Sequence, residues 1–138
     1  VIRAVIVTNV IFEGITDADS DSALGVEAWL THLFVPCVSD ALTYEDVDVL
    51  SRRLSPRRWL EAKHVLARLI SEATFISMYF RWRPIAQDAG DDFIVDCAMN
   101  ANACVVTHNT RDFAPAVKRL GLTTFAPDEF VERLASKV

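Results

Sequence analysis

Thr8-Asn9, Asp91-Asp92 and the run Thr107-His108-Asn109 with Asp112 are three polar clusters, each set where an apolar run ends or an amphipathic one begins. Carboxylates brought face to face repel, by roughly 4 kcal/mol at ~4 Å and an effective dielectric of about 20. A fold tolerates that if a hard divalent cation lies between them, or if one of them takes up a proton. Mg²⁺ or Mn²⁺ held in this way can activate water and steady the charge on a phosphoryl group, which is the chemistry of phosphodiester hydrolysis. The same residue types also serve as helix caps and dipole partners, and spacing alone leaves both readings open. Glu45, in the middle of a helical stretch, reads by itself as a solvated surface residue, as do Asp46 and Asp48.

The elements that must position these residues alternate in type. Ala4 to Val7 is a short apolar, β-branched run, the pattern of a strand buried on both faces. A polar turn over Thr16 to Asp21 precedes a helical stretch from Ala23 to Leu33, and Phe34 to Val38 reads as a second strand, weak or near an edge because of Pro36. Ser39 or Asp40 can cap a helix through Leu50, with Leu42, Val47, Val49 and Leu50 facing inward in part. Ser55-Pro56 starts the clearest helix, in which Trp59, Ala62, Val65, Leu66, Leu69 and Ile70 recur at helical spacing. Thr74 to Phe80 is rich in strand formers, and Asp91 opens a helix through Ala101. Ala103 to Thr107 and Leu122 to Phe125 are further strands, and Pro127-Asp128-Glu129 starts a terminal helix. Strands alternating with amphipathic helices predict an α/β fold, a parallel sheet covered on both faces. In such sheets ligands bind beyond the carboxyl ends of the strands, where the strand order switches, so the three clusters should meet there.

With 138 residues, 51% of them apolar and 24% charged, the chain is expected to form one globular domain over residues 1–138 with an ordinary core. The formal charge of −5 speaks against a protein that coats nucleic acid nonspecifically, though not against an acidic site that needs metal to approach a phosphate. Cys37, Cys97 and Cys104 lie far apart in apolar runs without CxxC spacing, and read as buried thiols of a reducing cytoplasm. His32, His64 and His108 show no zinc-ligand spacing with them. No apolar stretch is long enough for a membrane span, and the first residues do not read as a signal peptide. The sequence contains no internal repeat, low-complexity tract or linker.

In order and spacing, several segments resemble the PIN-domain family, in particular its VapC-like toxin components of toxin–antitoxin systems. Val7-Thr8-Asn9-Val10 is similar to the family's first-strand Asp-Thr-Asn-Val, and Ser39 through Val47 to its Ser-led helix with a glutamate, here Glu45. Trp82-Arg83-Pro84 followed by Asp88-Ala89-Gly90-Asp91-Asp92 is similar to the family's Trp-Arg-Pro and Asp-Pro-Asp-Asp-Glu. Val106-Thr107-His108-Asn109-Thr110-Arg111-Asp112-Phe113 matches its Val-Thr-His-Asn-x-Arg-Asp-Phe, and Gly121 through Phe130 its ending. The resemblance covers essentially the whole chain.

It implies a three-layer α/β/α domain with a mainly parallel sheet and an Mg²⁺- or Mn²⁺-dependent endoribonuclease activity, the toxin half of a toxin–antitoxin pair. RNA, a cognate antitoxin and a second copy of the chain would be the partners, with no membrane. Metal binding would fall on Glu45, Asp91 and Asp112, with Asp92 as an extra ligand and Thr8, Asn9, Thr107 and Asn109 in support. Two positions depart from the pattern. Gly90 stands where the family often has aspartate, and Val7 stands where the first-strand aspartate completes the acidic cluster. Valine offers no oxygen, so the resemblance implies a site that binds metal weakly or not at all, and an impaired enzyme. The alternative it leaves open is a PIN-like module that binds RNA or an antitoxin without cutting. A flavodoxin-like nucleotide-binding protein is disfavoured, because no glycine-rich phosphate loop follows Val7-Thr8-Asn9.

Overall fold

A computed structural model of the chain describes residues 1–82 and 91–136. Its elements run β1 (Arg3–Ile6), α1 (Thr8–Thr16), α2 (Asp21–Leu30), β2 (Val35–Val38), α3 (Asp40–Arg53), α4 (Pro56–Ser71), β3 (Thr74–Phe75), α5 (Asp92–Ala101), β4 (Cys104–Val106), a 3-10 turn (Thr110–Phe113), α6 (Ala114–Leu120), β5 (Thr124–Phe125) and α7 (Pro127–Ala135). The strands form one sheet in the order β3-β2-β1-β4-β5, each pair parallel. From β1 the chain builds outward through β2 to β3, then crosses back to lay β4 on the other side of β1. The switch point expected from the α/β pattern therefore lies between the ends of β1 and β4, where Val7 and Thr107 follow.

Helices cover both faces, in the α/β/α arrangement that the sequence implied. Ile6 and Val106 look onto Val10 of α1, Val26 and Trp29 of α2 and Phe130 of α7, while α5 packs across β1, β2 and β4 on the opposite face. The strands bury both faces: Val5, Val105 and Val106 are essentially inaccessible. Trp29 donates its indole N–H to the carbonyl of Leu69 at 3.0 Å and so ties α2 to α4. All three cysteines are buried free thiols, and burial holds Cys97 up to about 12 and Cys104 to about 11, far from a reactive thiolate. No helix among the described residues is long and apolar enough to cross a membrane.

Several expectations need correction. Helix α1 starts straight after β1, where the sequence suggested only a polar strand end. Its N-cap, Val7, makes no side-chain cap bond, so no capping signal marks it; the helix is held by packing rather than by propensity. Of the strand expected over Thr74 to Phe80, only Thr74–Phe75 joins the sheet. The last ladder bond runs from Ile76 N–H to Val38 O at 2.9 Å, after which Asn100 Oδ1 accepts the amides of Tyr79 and Phe80. β2 stands beside the two-residue edge strand β3, near the edge as Pro36 suggested; its pairing with β3 begins only at Cys37, so the donor missing from Pro36 falls before that ladder starts. Val47, expected to face inward in part, faces solvent. The 3-10 turn and α6 were not anticipated, although Pro115 near the start and left-handed Gly121 at the end are the usual signals of a short helix. Arg83-Pro84 and Asp88-Ala89-Gly90 of the resemblance lie outside the described residues.

Gly14 sets the closest approach of α1 to α2. A Cβ there would meet Val26 Cγ2 at 2.5 Å and the Ser22 carbonyl oxygen at 2.7 Å, and the latter is backbone and cannot swing aside. Gly14→Ala should therefore destabilise the protein by about 1–3 kcal/mol despite the better helix propensity of alanine. Urea unfolding reads this directly; an unchanged midpoint would mean that the two helices can part freely.

Candidate functional site

Four chain segments end at the switch point. β1 delivers Val7, Thr8 and Asn9; α3 brings Glu45 from the side; Asp91 stands at the N-cap of α5; and the segment after β4 carries Thr107, His108, Asn109 and Asp112. Together with Ile94 and Phe113 they line one open cleft of about 210 Å³. Of the residues singled out in the sequence, Thr8, Asn9, Glu45, Asp91, Thr107, Asn109 and Asp112 meet there, and so does Val7. Asp92 does not line the cleft; it is buried in the first turn of α5, only 4% exposed.

The cleft lies at the N-termini of two helices, α1 and α5. The positive end of each helix dipole offsets part of the repulsion among the carboxylates. Burial, with the Asp48 charge adding to it, holds the Glu45 carboxyl above its usual range. Asn109 N–H donates to Thr107 Oγ1 at 3.1 Å, bending the chain after β4 so that the 3-10 turn presents Asp112. His108 Nε2 lies 3.2 Å from Glu13 Oε1, which also accepts the hydroxyl of buried Ser22 at 2.6 Å. That link fastens the rim of the cleft to the α1–α2 pair.

Asp46 corrects the reading of α3. Expected in solvent, it is 1% exposed and accepts a hydrogen bond from Thr8 Oγ1 at 2.6 Å. Leu42, Asp46 and Leu50 are the buried residues of α3, spaced four apart, so the inward stripe runs through an aspartate. That spacing was the available signal, obscured by Val47 and Val49. Burial raises the Asp46 carboxyl to about 7, the Thr8 bond opposing and the Glu45 charge reinforcing the rise. Asp48, in contrast, is exposed as expected and pairs with Arg52 at 3.1 Å.

Whether these residues suit a divalent cation can be tested on the donors. Glu45, Asp91 and Asp112 share the cleft wall, yet among the described residues no three acidic, histidine or cysteine side chains stand close enough together to hold one ion. Val7, 7% exposed, adds methyl groups to the cleft wall and no oxygen. Among the described residues, the side chains as placed do not form a donor set that fits Mg²⁺ or Mn²⁺.

The PIN domain family profile matches residues 3–111. No curated protein matches the sequence. Among solved structures, the VapBC2 complex of Rickettsia felis, bound to a DNA fragment from its promoter, contains a similar chain at 16% identity and a TM-score of 0.65, covering 91% of this chain and 98% of that one. FitAB bound to an IR36 DNA fragment gives 16% identity and a TM-score of 0.63, over 90% of this chain and 94% of that one. FitAcB from Neisseria gonorrhoeae gives 14% and 0.62, over 90% and 97%. At such identities the structural likeness speaks for the fold, and the profile match over most of the chain speaks for descent: this chain belongs to the PIN domain family.

Proposed function

We propose that this chain is a toxin-type PIN domain directed at RNA, built as a metal-dependent endoribonuclease and impaired in that chemistry by Val7. The observation that carries the reading is the position of Val7: it lines the same cleft as Glu45, Asp91 and Asp112, at the end of the central strand. Thr8, Asn9, Thr107 and Asn109 supply polar atoms around the three carboxylates, with Asp92 behind them in α5. The cognate partner would be an antitoxin protein, a reading supported by the VapBC2 and FitAB complexes of similar fold.

A second reading is favoured by the dispersed donors: a module that binds RNA or an antitoxin and does not cut. Cleavage of single-stranded RNA in Mn²⁺, against an Asp91→Ala control, separates the two. The impaired-enzyme reading expects slow cleavage that the control abolishes, and a melting temperature that millimolar Mg²⁺ raises little, since stabilisation follows RT ln(1 + [L]/Kd). Cleavage insensitive to Asp91→Ala would exclude this cleft as its source. A large Mg²⁺-dependent shift that disappears in the same variant would show that the three carboxylates suffice.

A further inference from the structure

The chain is acidic, yet basic residues concentrate at the junction of α3 and α4. Arg52 and Arg53 end α3, and Arg57 and Arg58 begin α4, so four of the 14 basic residues crowd one helix corner. No carboxylate occurs between Asp48 and Glu61. All four arginines are exposed. Arg53 stacks over the Phe12 ring at 4.1 Å, and Arg52 is paired with Asp48. Among the described residues Arg57 and Arg58 make no ion pair. They stand in the first turn of a 16-residue helix that has no acidic residue there, and positive charge at that end opposes the helix dipole. The arrangement works against the stability of α4 and favours an external anion.

The corner is aligned with the cleft. Arg52 follows Glu45 by seven residues on α3, two helical turns that return it to nearly the same face, roughly 10 Å along the axis. That distance spans about three nucleotides of stacked strand at ~3.4 Å each. Arg53 is held against Phe12, which lies one helical turn along α1 from Thr8 at the cleft. We infer that the α3–α4 corner binds the phosphate backbone of a single-stranded RNA whose neighbouring nucleotides occupy the cleft. This rests on the reading of the cleft as directed at RNA, and charge complementarity names a polyanion as the occupant. Arg57 and Arg58 hold the outer phosphates; Arg52 and Arg53 join them to the cleft.

The test uses the full chain with a fluorescein-labelled 12-nucleotide oligouridine in EDTA, where binding is read without cutting, titrated from 50 to 300 mM KCl. Arg57→Gln/Arg58→Gln should weaken binding by about tenfold or more at the lowest salt, and reduce the slope of log K against log[salt] by about 1.4, near 0.7 for each phosphate no longer neutralised. Its melting temperature should stay equal to or above that of the parent, because charge opposing the dipole is removed. Arg57→Lys/Arg58→Lys should retain most of the slope, which separates a charge effect from damage to the fold. Unchanged affinity and slope in the glutamine variant would overturn the inference. So would a polyglutamate peptide that binds with the same arginine dependence while the RNA does not. Cleavage in Mn²⁺ is measured on the same proteins: a reduced slope without any cleavage upholds this surface against the nuclease reading, and cleavage with an unchanged slope does the reverse.

Discussion

Val7→Asp should make the stability of this protein depend strongly on divalent metal. The position is 7% exposed, and its backbone is fixed by a bond from Val7 N–H to Val106 O at 3.1 Å, so the new side chain enters the cleft with little freedom. Valine and aspartate are similar in size, and the steric cost is small. Electrostatics decides the outcome. A carboxylate buried beside Glu45, Asp91 and Asp112 costs on the order of several kcal/mol unless it takes up a proton. One local gain opposes that cost: residue 7 is the N-cap of α1, with no side-chain cap bond at present, and aspartate there stabilises by about 1 kcal/mol. The metal-free variant should therefore melt below the parent, by less than burial alone would give. Mn²⁺ at a hundred times its Kd would return ~2.7 kcal/mol. Cleavage of single-stranded RNA should rise by at least the ~10- to 100-fold associated with changes around a metal site, and disappear in Val7→Asp/Asp91→Ala. A parent that cuts as fast as Val7→Asp would show that position 7 is dispensable. If neither cuts although Val7→Asp binds metal, the non-cutting module is the better account.

The parts of this molecule that were legible in its sequence are those where a local pattern and the global fold agree. The apolar runs at Ala4 to Val7 and Ala103 to Thr107 gave the two central strands, and Ser55-Pro56 with its helical stripe gave α4. Because parallel strands share one carboxyl end, the residues after β1 and β4 had to meet, and Thr8, Asn9, Thr107, Asn109 and Asp112 do line one cleft. Glu45 was different: no periodicity placed it there, only the resemblance to a family. Where sequence reasoning failed, tertiary contacts overrode local cues. Helix α1 has no cap and contains Gly14, and exists because α2 packs against it. The chain after Ile76 has strand-forming residues, but the amides of Tyr79 and Phe80 go to the side chain of Asn100. The distance among the carboxylates lay beyond reach as well, since sequence spacing brings residues to one cleft without fixing how closely their oxygens gather.

Asp46→Asn should make the protein more stable at pH 8 than the parent and bring the two closer together at pH 5. The Asp46 carboxyl is raised from 3.8 to about 7, chiefly by burial. The native state thus keeps a proton that the unfolded chain releases between pH ~4 and ~7. Stability therefore falls as pH rises through that window, is unaffected by this group below it, and levels off above it, where both states are ionised. From pH 5 to 8 the loss is on the order of 2–3 kcal/mol, at ~1.4 kcal/mol per pH unit while only the native state holds the proton. Asparagine carries no proton to lose and still offers Oδ1 to Thr8, so the hydrogen bond at the mouth of the cleft survives. Urea unfolding of both proteins at pH 5 and pH 8 gives the comparison, and parallel pH dependences would show that Asp46 ionises normally. The bond also fixes what Thr8 can do. Its hydroxyl proton is committed to Asp46, so toward the cleft it presents lone pairs, which suit a cation and repel a bare phosphate oxygen. With Val7→Asp beside it, the same threonine would then stand ready as a neutral oxygen at a rebuilt metal site. The double variant Val7→Asp/Thr8→Val should accordingly lose part of the Mn²⁺-dependent stabilisation that Val7→Asp alone acquires.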